Sequence, residues 1–125
     1  RNVLNKRYQT KFRNLEVSTE EEARVLLGDS KANLILAGHL HYASYGVPCG
    51  QRYAIIDSVG FPFDGDPRAG YATVTWKDNE WQVENHRLEY DHLKVVEDVR
   101  HCGASFGEMS AQRLLQARIL QTVRA

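Results

Sequence analysis

The chain has 125 residues, of which 42% are hydrophobic and 26% are charged, and its 16 basic and 16 acidic side chains cancel at neutral pH. This composition fits one globular domain or part of one, and the lack of net charge argues against nucleic acid or an anionic membrane as a stable partner. No apolar run is long enough to cross a bilayer. The two cysteines form neither a ligand pair nor a disulfide framework, which favours a cytoplasmic location. Because the sequence starts at Arg1 and not at methionine, we expect a piece of a longer protein.

The first 16 residues combine basic side chains with Tyr8, Phe12 and Leu15 and have no regular hydrophobic period. Basic and aromatic residues together can bind single-stranded nucleic acid. The accompanying asparagines, glutamine and threonine favour instead a loop that crosses the surface.

A helix is predicted after this loop. Ser18 and Glu21 have the spacing of a capping box, and the acidic run 20–22 suits the positive end of the helix dipole. Apolar residues at 23, 26 and 27 share one face, and Gly28 can end the helix. The acidic run is therefore interpreted as a helix start and not as a metal site.

The stretch 33–41 (NLILAGHLH) contains a short apolar run, one glycine and two histidines. The apolar run is too short for three helical turns, which predicts a buried strand that ends at Gly38. Ligand sites of α/β folds collect at the carboxyl ends of strands, and His39 and His41 would project to the same side of an extended chain. Since neutral imidazole is the commonest metal ligand, both are candidate metal ligands. The alternative is two histidines in a loop without such a role.

A second buried strand is predicted over 53–56, after a loop over 42–51 that contains two glycines and one proline. Asp57 follows this strand. Its carboxylate could orient a metal-binding histidine or contact substrate, or it could cap the turn at Ser58, which is the favoured interpretation.

The turn-rich segment 61–70 contains Asp64, Asp66 and Arg68. It lacks the oxygen ligands and the closing glutamate of a calcium loop. We interpret it as a rigid loop held by aspartate–arginine pairing. The alternative, that Arg68 offers its planar guanidinium to a substrate phosphate, is left open, and Arg68 is not included among the site residues.

Alternation from Tyr71 to Trp76 predicts a strand, and the residues 77–80 (KDNE) predict a hairpin connection to a partner strand over 81–90. The apolar parity shifts towards the end of this partner strand, which predicts a bulge near 85–87. His86 lies in that stretch and is interpreted as a surface histidine.

Two helices are predicted in the remaining chain. Asp91 caps the first, and its packed stripe contains apolar residues at 93, 96 and 99. Ser105 and Glu108 form a second capping box. The final helix runs to about Val123, and its predicted buried residues are Ala111, Leu114, Leu115, Ile119 and Val123.

The sequence Gly38-His39-Leu40-His41 after a strand resembles the last motif of the calcineurin-like metallophosphoesterases. The segments SVG at 58–60, DGDPRA at 64–69 and YA at 71–72 resemble a bacterial branch of that family, in the same order and at similar spacing. The resemblance extends from about Ser18 to the end of the chain. At 55–57 relatives usually carry Asn-Pro-Gly or Asn-Thr-Gly, whereas this chain has Ile-Ile-Asp.

The resemblance implies an α/β fold in which residues 1–125 form the C-terminal half of a single four-layer α-β-β-α metallophosphoesterase domain. It implies a hydrolase that cleaves phosphomonoesters or phosphodiesters with two divalent ions, manganese first, with zinc, iron or nickel as alternatives. By this resemblance His39 would bind the second metal and His41 the first. No catalytic residue is assigned, because the proton-relaying histidine of the family belongs to a Gly-Asn-His-Glu motif. That motif, the Asp-x-His and Gly-Asp-x-x-Asp motifs and the family's further metal-binding histidine are not in this sequence.

Two other functions are compatible with the residues. An inactive binding or interaction module would expose a sheet edge and self-associate, for example as a homodimer. A metal carrier would need a further ligand such as Asp57 or His86. As a segment of a phosphoesterase, the chain alone should bind metal weakly and have no useful activity, since two histidines lack the charge and coordination number that hold a dication tightly.

Overall fold

The computed structural model describes residues 7–17 and 19–120, a mixed α/β arrangement with two sheets. The described elements in chain order are β1 (Arg7–Thr10), β2 (Arg13–Asn14), α1 (Glu20–Leu27), β3 (Leu34–Ala37), β4 (Ser44–Gly46), a 3-10 turn (Pro48–Gly50), β5 (Arg52–Ile55), β6 (Ala69–Lys77), β7 (Glu80–Leu88), α2 (His92–Arg100) and α3 (Gly107–Gln116). One sheet has the order β1-β7-β6 and is antiparallel, and the other has the order β2-β4-β5-β3. None of the described helices is long and apolar enough to span a bilayer.

The surface loop predicted over the first 16 residues is wrong for the part that the structure describes. Here β1 pairs antiparallel with β7, and β2 pairs parallel with β4. Both strands are short and largely exposed. Their sequences therefore lack the alternating apolar pattern by which a strand can be predicted. The loop predicted over 42–51 likewise contains β4 and the 3-10 turn.

Helix α1 begins one residue later than the predicted capping box implies. Its N-cap is Thr19, whose hydroxyl accepts a hydrogen bond from the Glu22 amide at 3.1 Å. Ser18 lies outside the described residues. The helix ends at Gly28, as predicted, and Ala23 and Leu27 are its buried residues.

The predicted strands on either side of the central loop are both present as β3 and β5, and they pair in parallel. Leu27 of α1 packs with Tyr53 and Ile55 of β5, and Ile35 and Ala37 of β3 lie against this cluster. The expected burial of β3 is wrong for Leu36, which is 49% exposed. Side chains alternate along a strand, so Leu36 points to the face opposite Ile35 and Ala37 and away from this cluster.

Strands β6 and β7 form the predicted hairpin, with Asp78 and Asn79 in the left-handed conformation (φ 52° and 61°) that a two-residue turn requires. The predicted bulge near 85–87 is wrong, because pairing continues without interruption from Lys77–Glu80 to Ala69–Leu88. The apparent shift of parity arises because Asn85 and Arg87 are polar but buried.

Helices α2 and α3 pack on each other through Val96, Ala111 and Leu114, with Phe61 against the same cluster. Asp91 caps α2 as predicted, since its carboxylate accepts from the Lys94 amide at 3.0 Å. The prediction of a capping box at Ser105 is wrong, because the N-cap of α3 is Phe106 and no side chain among the described residues caps this helix. The predicted burial of Leu115 and Ile119 is wrong: Leu115 lies on an exposed side of α3, and Ile119 lies beyond the end of the helix at Gln116. Val123 lies outside the described residues.

Candidate metal centre

The two candidate ligands lie where the parallel strands β3 and β5 end. The Ile56 amide donates to the Ala37 carbonyl at 2.7 Å, which continues the pairing by one residue. Just beyond this point is an open depression of ≈ 250 Å³ whose lining residues are Gly38, His39, His41, Ile56, Asp57 and Ser58. The structure therefore brings together all three of the predicted site residues, at the strand ends where ligand sites of α/β folds collect.

The histidines reach this depression from a turn and not from an extended chain, so that part of the prediction is wrong. His39 and His41 have φ values of 78° and 60°, in the left-handed region. This conformation costs a non-glycine residue roughly 1–2 kcal/mol. Backbone strain of this kind concentrates at functional sites, where it sets the direction of a side chain.

The ring of His41 is held from two sides. Its Nδ1 lies 2.7 Å from the Phe61 carbonyl oxygen, and because a carbonyl only accepts, Nδ1 carries the proton and donates. Phe63 stacks on the imidazole at 4.6 Å between ring centroids with an interplanar angle of 9°, and its amide donates to the His41 carbonyl. Nε2 of the neutral ring then keeps its lone pair for a metal ion, an arrangement that metal-binding histidines share.

Asp57 lines the depression, but its carboxylate is turned into the protein and fully buried. One oxygen accepts from the Ser58 amide at 2.7 Å, and the other forms an ion pair with Arg87. Burial raises the pKa of Asp57, although the Ser58 amide and the charge of Arg87 act in the opposite direction. These contacts correspond to the cap on the Ser58 turn, and a role of Asp57 towards a histidine or substrate stays a prediction.

Arg87 is the residue that the sequence analysis missed. Its side chain is 3% exposed and forms ion pairs with Asp57 and Asp64, and Nη1 donates to the Arg68 carbonyl at 3.0 Å. The signal in the sequence was an arginine at an inward position of an alternating strand, two residues after the equally inward Asn85. A buried arginine needs several acceptors, and the acidic loop 64–68 supplies them.

The loop 64–68 is held as predicted, by aspartate–arginine pairing. Arg68 donates to both oxygens of Asp66, from Nη2 at 2.7 Å and from Nε at 3.0 and 3.1 Å. Its guanidinium also lies 4.9 Å from the ring centroid of Tyr8. Burial by itself would raise the pKa of Asp66, but the hydrogen bonds from Arg68 and the charge of Arg87 lower it. Because Arg68 is engaged in these contacts, the structure gives no support to its alternative role as a phosphate ligand.

The donor set fits half of a metal site. Among residues 7–17 and 19–120, no three His, Cys, Asp or Glu side chains gather in a way that could hold an ion. Asp57 is engaged by Arg87, and His86 lies on the β6–β7 hairpin, where it contacts Thr73 at 2.9 Å and stacks on Tyr71. The third ligand that a metal carrier would need is therefore supplied by neither residue.

The chain has a mixed α/β fold that is similar to the fold of a metallophosphoesterase. The structure is similar to the crystal structure of a metallophosphoesterase from Sphaerobacter thermophilus, with a TM-score of 0.62 and 25% sequence identity over 76% of this chain and 48% of that one. This chain thus spans about half the length of the protein it resembles. No family model and no curated protein matches the sequence.

Proposed function

We propose that this chain is the C-terminal part of a two-metal phosphoesterase and supplies the last two histidine ligands, His39 and His41, to its metal centre. The observation that carries the proposal is the contact between His41 Nδ1 and the Phe61 carbonyl, which leaves the Nε2 lone pair unused, in a residue that lines one depression together with His39. The similarity to a solved metallophosphoesterase supports the same conclusion. The substrates we propose are phosphomonoesters or phosphodiesters, in a bacterial cytoplasm, with manganese as the first candidate metal.

Two bound dications would clamp the oxygens of the phosphate ester and lower the pKa of a water molecule. The role of this chain is to hold the imidazoles. The carbonyl of Phe61 keeps the proton of His41 on Nδ1, and the ring of Phe63 fixes the orientation of the imidazole. The rigid ends of β3 and β5 set the distance between the histidine turn and the segment that follows β5.

The electrostatics of the depression explain why we expect little from the chain alone. Neutral imidazoles add no negative charge, and the nearest carboxylate, Asp57, is already paired with Arg87. A dication held only by His39 and His41 keeps its full charge, which hard divalent ions tolerate poorly without oxygen ligands. The proposal therefore requires carboxylates from another part of the whole protein.

A metal titration tests the ligand assignment. Cobalt(II) added to the chain should give a weak visible spectrum of imidazole coordination, and zinc should bind in calorimetry with micromolar or weaker affinity (about 8 kcal/mol or less). Both signals should be lost in His39→Ala and in His41→Ala. His101→Ala is the matched control, because His101 is exposed at the end of α2 and its ring contacts the Glu97 carbonyl. Equal binding by all four proteins would refute the assignment.

An activity assay tests the division between chain and whole protein. With manganese and a chromogenic phosphodiester, the isolated chain should show only background hydrolysis. Turnover above background that disappears in His39→Ala would show that these 125 residues form a complete enzyme, contrary to the proposal.

One observation favours the second candidate function, a self-associating module. Leu36 on β3 and Leu40 in the histidine turn are 49% and 41% exposed, and β3 is the last strand of its described sheet. Exposed strands with apolar residues tend to pair. If the module hypothesis holds, size-exclusion chromatography should show a dimer that Leu36→Lys dissociates and Val25→Lys does not, since Val25 is an exposed apolar residue on α1. A monomer at all concentrations would exclude the module.

A further inference from the structure

A continuous series of contacts joins the buried Arg87 to the imidazole of His41. Arg87 pairs with one oxygen of Asp57, and the other oxygen accepts from the Ser58 amide at 2.7 Å. The Ser58 hydroxyl then accepts from the Phe61 amide at 2.8 Å, and the Phe61 carbonyl accepts from His41 Nδ1 at 2.7 Å. The last three steps are hydrogen bonds, whereas the first is an ion pair in which Asp57 Oδ2 accepts no hydrogen bond from the described residues.

The starting point of the series is fixed more firmly than its end. Arg87 is anchored on β7 with its side chain almost fully buried, and it also bonds to the Arg68 carbonyl and pairs with Asp64. The Gly70 amide of β6 donates to the Ser58 carbonyl at 2.9 Å and ties the same segment to the hairpin. His41, in contrast, lies half-buried in a turn beside an open depression. The contacts with the β6–β7 hairpin therefore fix the segment 57–61, and this segment in turn holds the ring of His41.

We propose that Arg87 is a positioning residue for His41 and acts through Asp57, Ser58 and Phe61. Its function is to place the Phe61 carbonyl opposite Nδ1, so that the neutral ring carries its proton there and presents the Nε2 lone pair to the depression. This rests on the proposed function, since the choice of ring nitrogen has a consequence only if Nε2 binds a metal.

The physical reason lies in the cost of leaving a buried carboxylate without its partner. When the guanidinium is replaced by a group that cannot reach Asp57 and the Arg68 carbonyl together, the fully buried Asp57 carboxylate is left with a weaker partner, and such a charge is strongly destabilising unless it moves to solvent or takes up a proton. Either response changes the position of Ser58 and, with it, the Phe61 amide that Ser58 holds. When the Phe61 carbonyl moves away, the proton of His41 is free to occupy Nε2, where the lone pair is needed.

The test measures the proton on the ring directly, in the chain without metal. Long-range ¹H–¹⁵N correlation spectra at pH 8, where an ordinary histidine is neutral, should show His41 as the pure Nδ1–H form in the wild type. In Arg87→Lys, which keeps the charge but cannot bridge Asp57 and the Arg68 carbonyl with one planar group, the Nε2–H form should become populated. Arg52→Lys is the matched control, because Arg52 pairs with Glu80 at 3.0 Å away from this series, and it should leave His41 unchanged.

Ser58→Ala removes one link while keeping Arg87 and its partners, and it should give the same mixture of tautomers. If Arg87→Lys does not fold, Ser58→Ala decides alone. A pure Nδ1–H form of His41 in folded Arg87→Lys, or in Ser58→Ala, would overturn the proposal.

Zinc binding provides the second readout. Both variants should bind zinc about 10-fold more weakly than the wild type, the lower end of the effect expected when a partner of a metal ligand is lost. The two proposals fail separately. A wild type that binds no zinc would refute the metal site, whereas a changed tautomer in the metal-free variants would still support the positioning role of Arg87.

Discussion

Gly70 lies on β6 next to the carboxylate of Asp57, and its missing side chain is what allows this carboxylate to reach Arg87. A Cβ atom built at residue 70 would lie 2.7 Å from Asp57 Cγ and 3.0 Å from Asp57 Oδ2. Real Cβ atoms essentially never approach other atoms below 3.0 Å. In Gly70→Ala, either Asp57 or strand β6 must therefore move.

The size of the effect follows from what Asp57 would lose. Adding one methyl group to a tightly packed interior costs about 1–3 kcal/mol. Separating one partner from a buried ion pair costs about 3–5 kcal/mol when the remaining charge stays buried. Arg87 keeps Asp64 and the Arg68 carbonyl in the variant, so the second cost is only partly incurred. We expect Gly70→Ala to lower the free energy of unfolding by about 2–4 kcal/mol.

Urea unfolding followed by far-UV circular dichroism measures this change. With a slope of about 2 kcal/mol per molar urea, the middle of the usual range for small proteins, the midpoint should fall by about 1–2 M. Gly38→Ala is the control, because a Cβ there meets nothing within 4 Å, and it should shift stability by less than about 1 kcal/mol. The double variant Gly70→Ala with Asp57→Gly should cost less than the sum of the single changes, since it removes the clash. Equal midpoints for Gly70→Ala and Gly38→Ala would refute the close-approach argument.

Three further changes test other parts of the structure. His39→Gly should relieve the left-handed strain and raise the free energy of unfolding by about 1 kcal/mol in urea titrations, and it should weaken zinc binding. His39→Ala should also weaken zinc binding, but it should not raise the free energy of unfolding. The pKa of Asp66 is lowered from 3.8 in the folded protein, so its contribution to stability is present above pH 3.8 and is lost as the pH falls through the lower, folded-state value. The stability difference between wild type and Asp66→Asn should therefore shrink between pH 7 and pH 2. A constant difference would contradict this. Thr19→Ala should lower the thermal midpoint through a cap loss of about 1 kcal/mol, and an unchanged midpoint would argue against Thr19 as the cap.

The elements that could be predicted are those whose signal is local. The apolar runs of β3 and β5, the turn residues Asp78 and Asn79, and the Asp91 cap each depend on a few neighbouring residues. The gathering of His39, His41 and Asp57 at one depression also followed from a local feature, two strands that end in polar residues.

The missed features depend on partners that are distant in the sequence. Arginine normally faces solvent, so the inward position of Arg87 in the alternating pattern suggested a bulge. In the structure Arg87 is buried because it pairs with Asp57 and Asp64, which lie 30 and 23 residues earlier in the chain. The pairing of β1 with β7 joins residues about 80 positions apart and leaves no periodic pattern in β1. The left-handed turn at His39 and His41 was missed because neither residue type announces that conformation as glycine does.

The combination of strain and order around the depression supports a ligand site more strongly than either feature alone. If the turn at His39 and His41 had only to connect β3 to β4, glycine would adopt the same left-handed backbone without the cost. Instead the chain keeps two imidazoles there and holds one of them with a carbonyl, a stacked phenyl ring and a series of contacts that begins at a buried ion pair. A surface loop without a ligand does not depend on one tautomer, whereas a metal ligand does, because only the lone pair on the unprotonated ring nitrogen can bind the ion. This combination supports our proposals that His41 is a metal ligand and that Arg87 is its positioning residue.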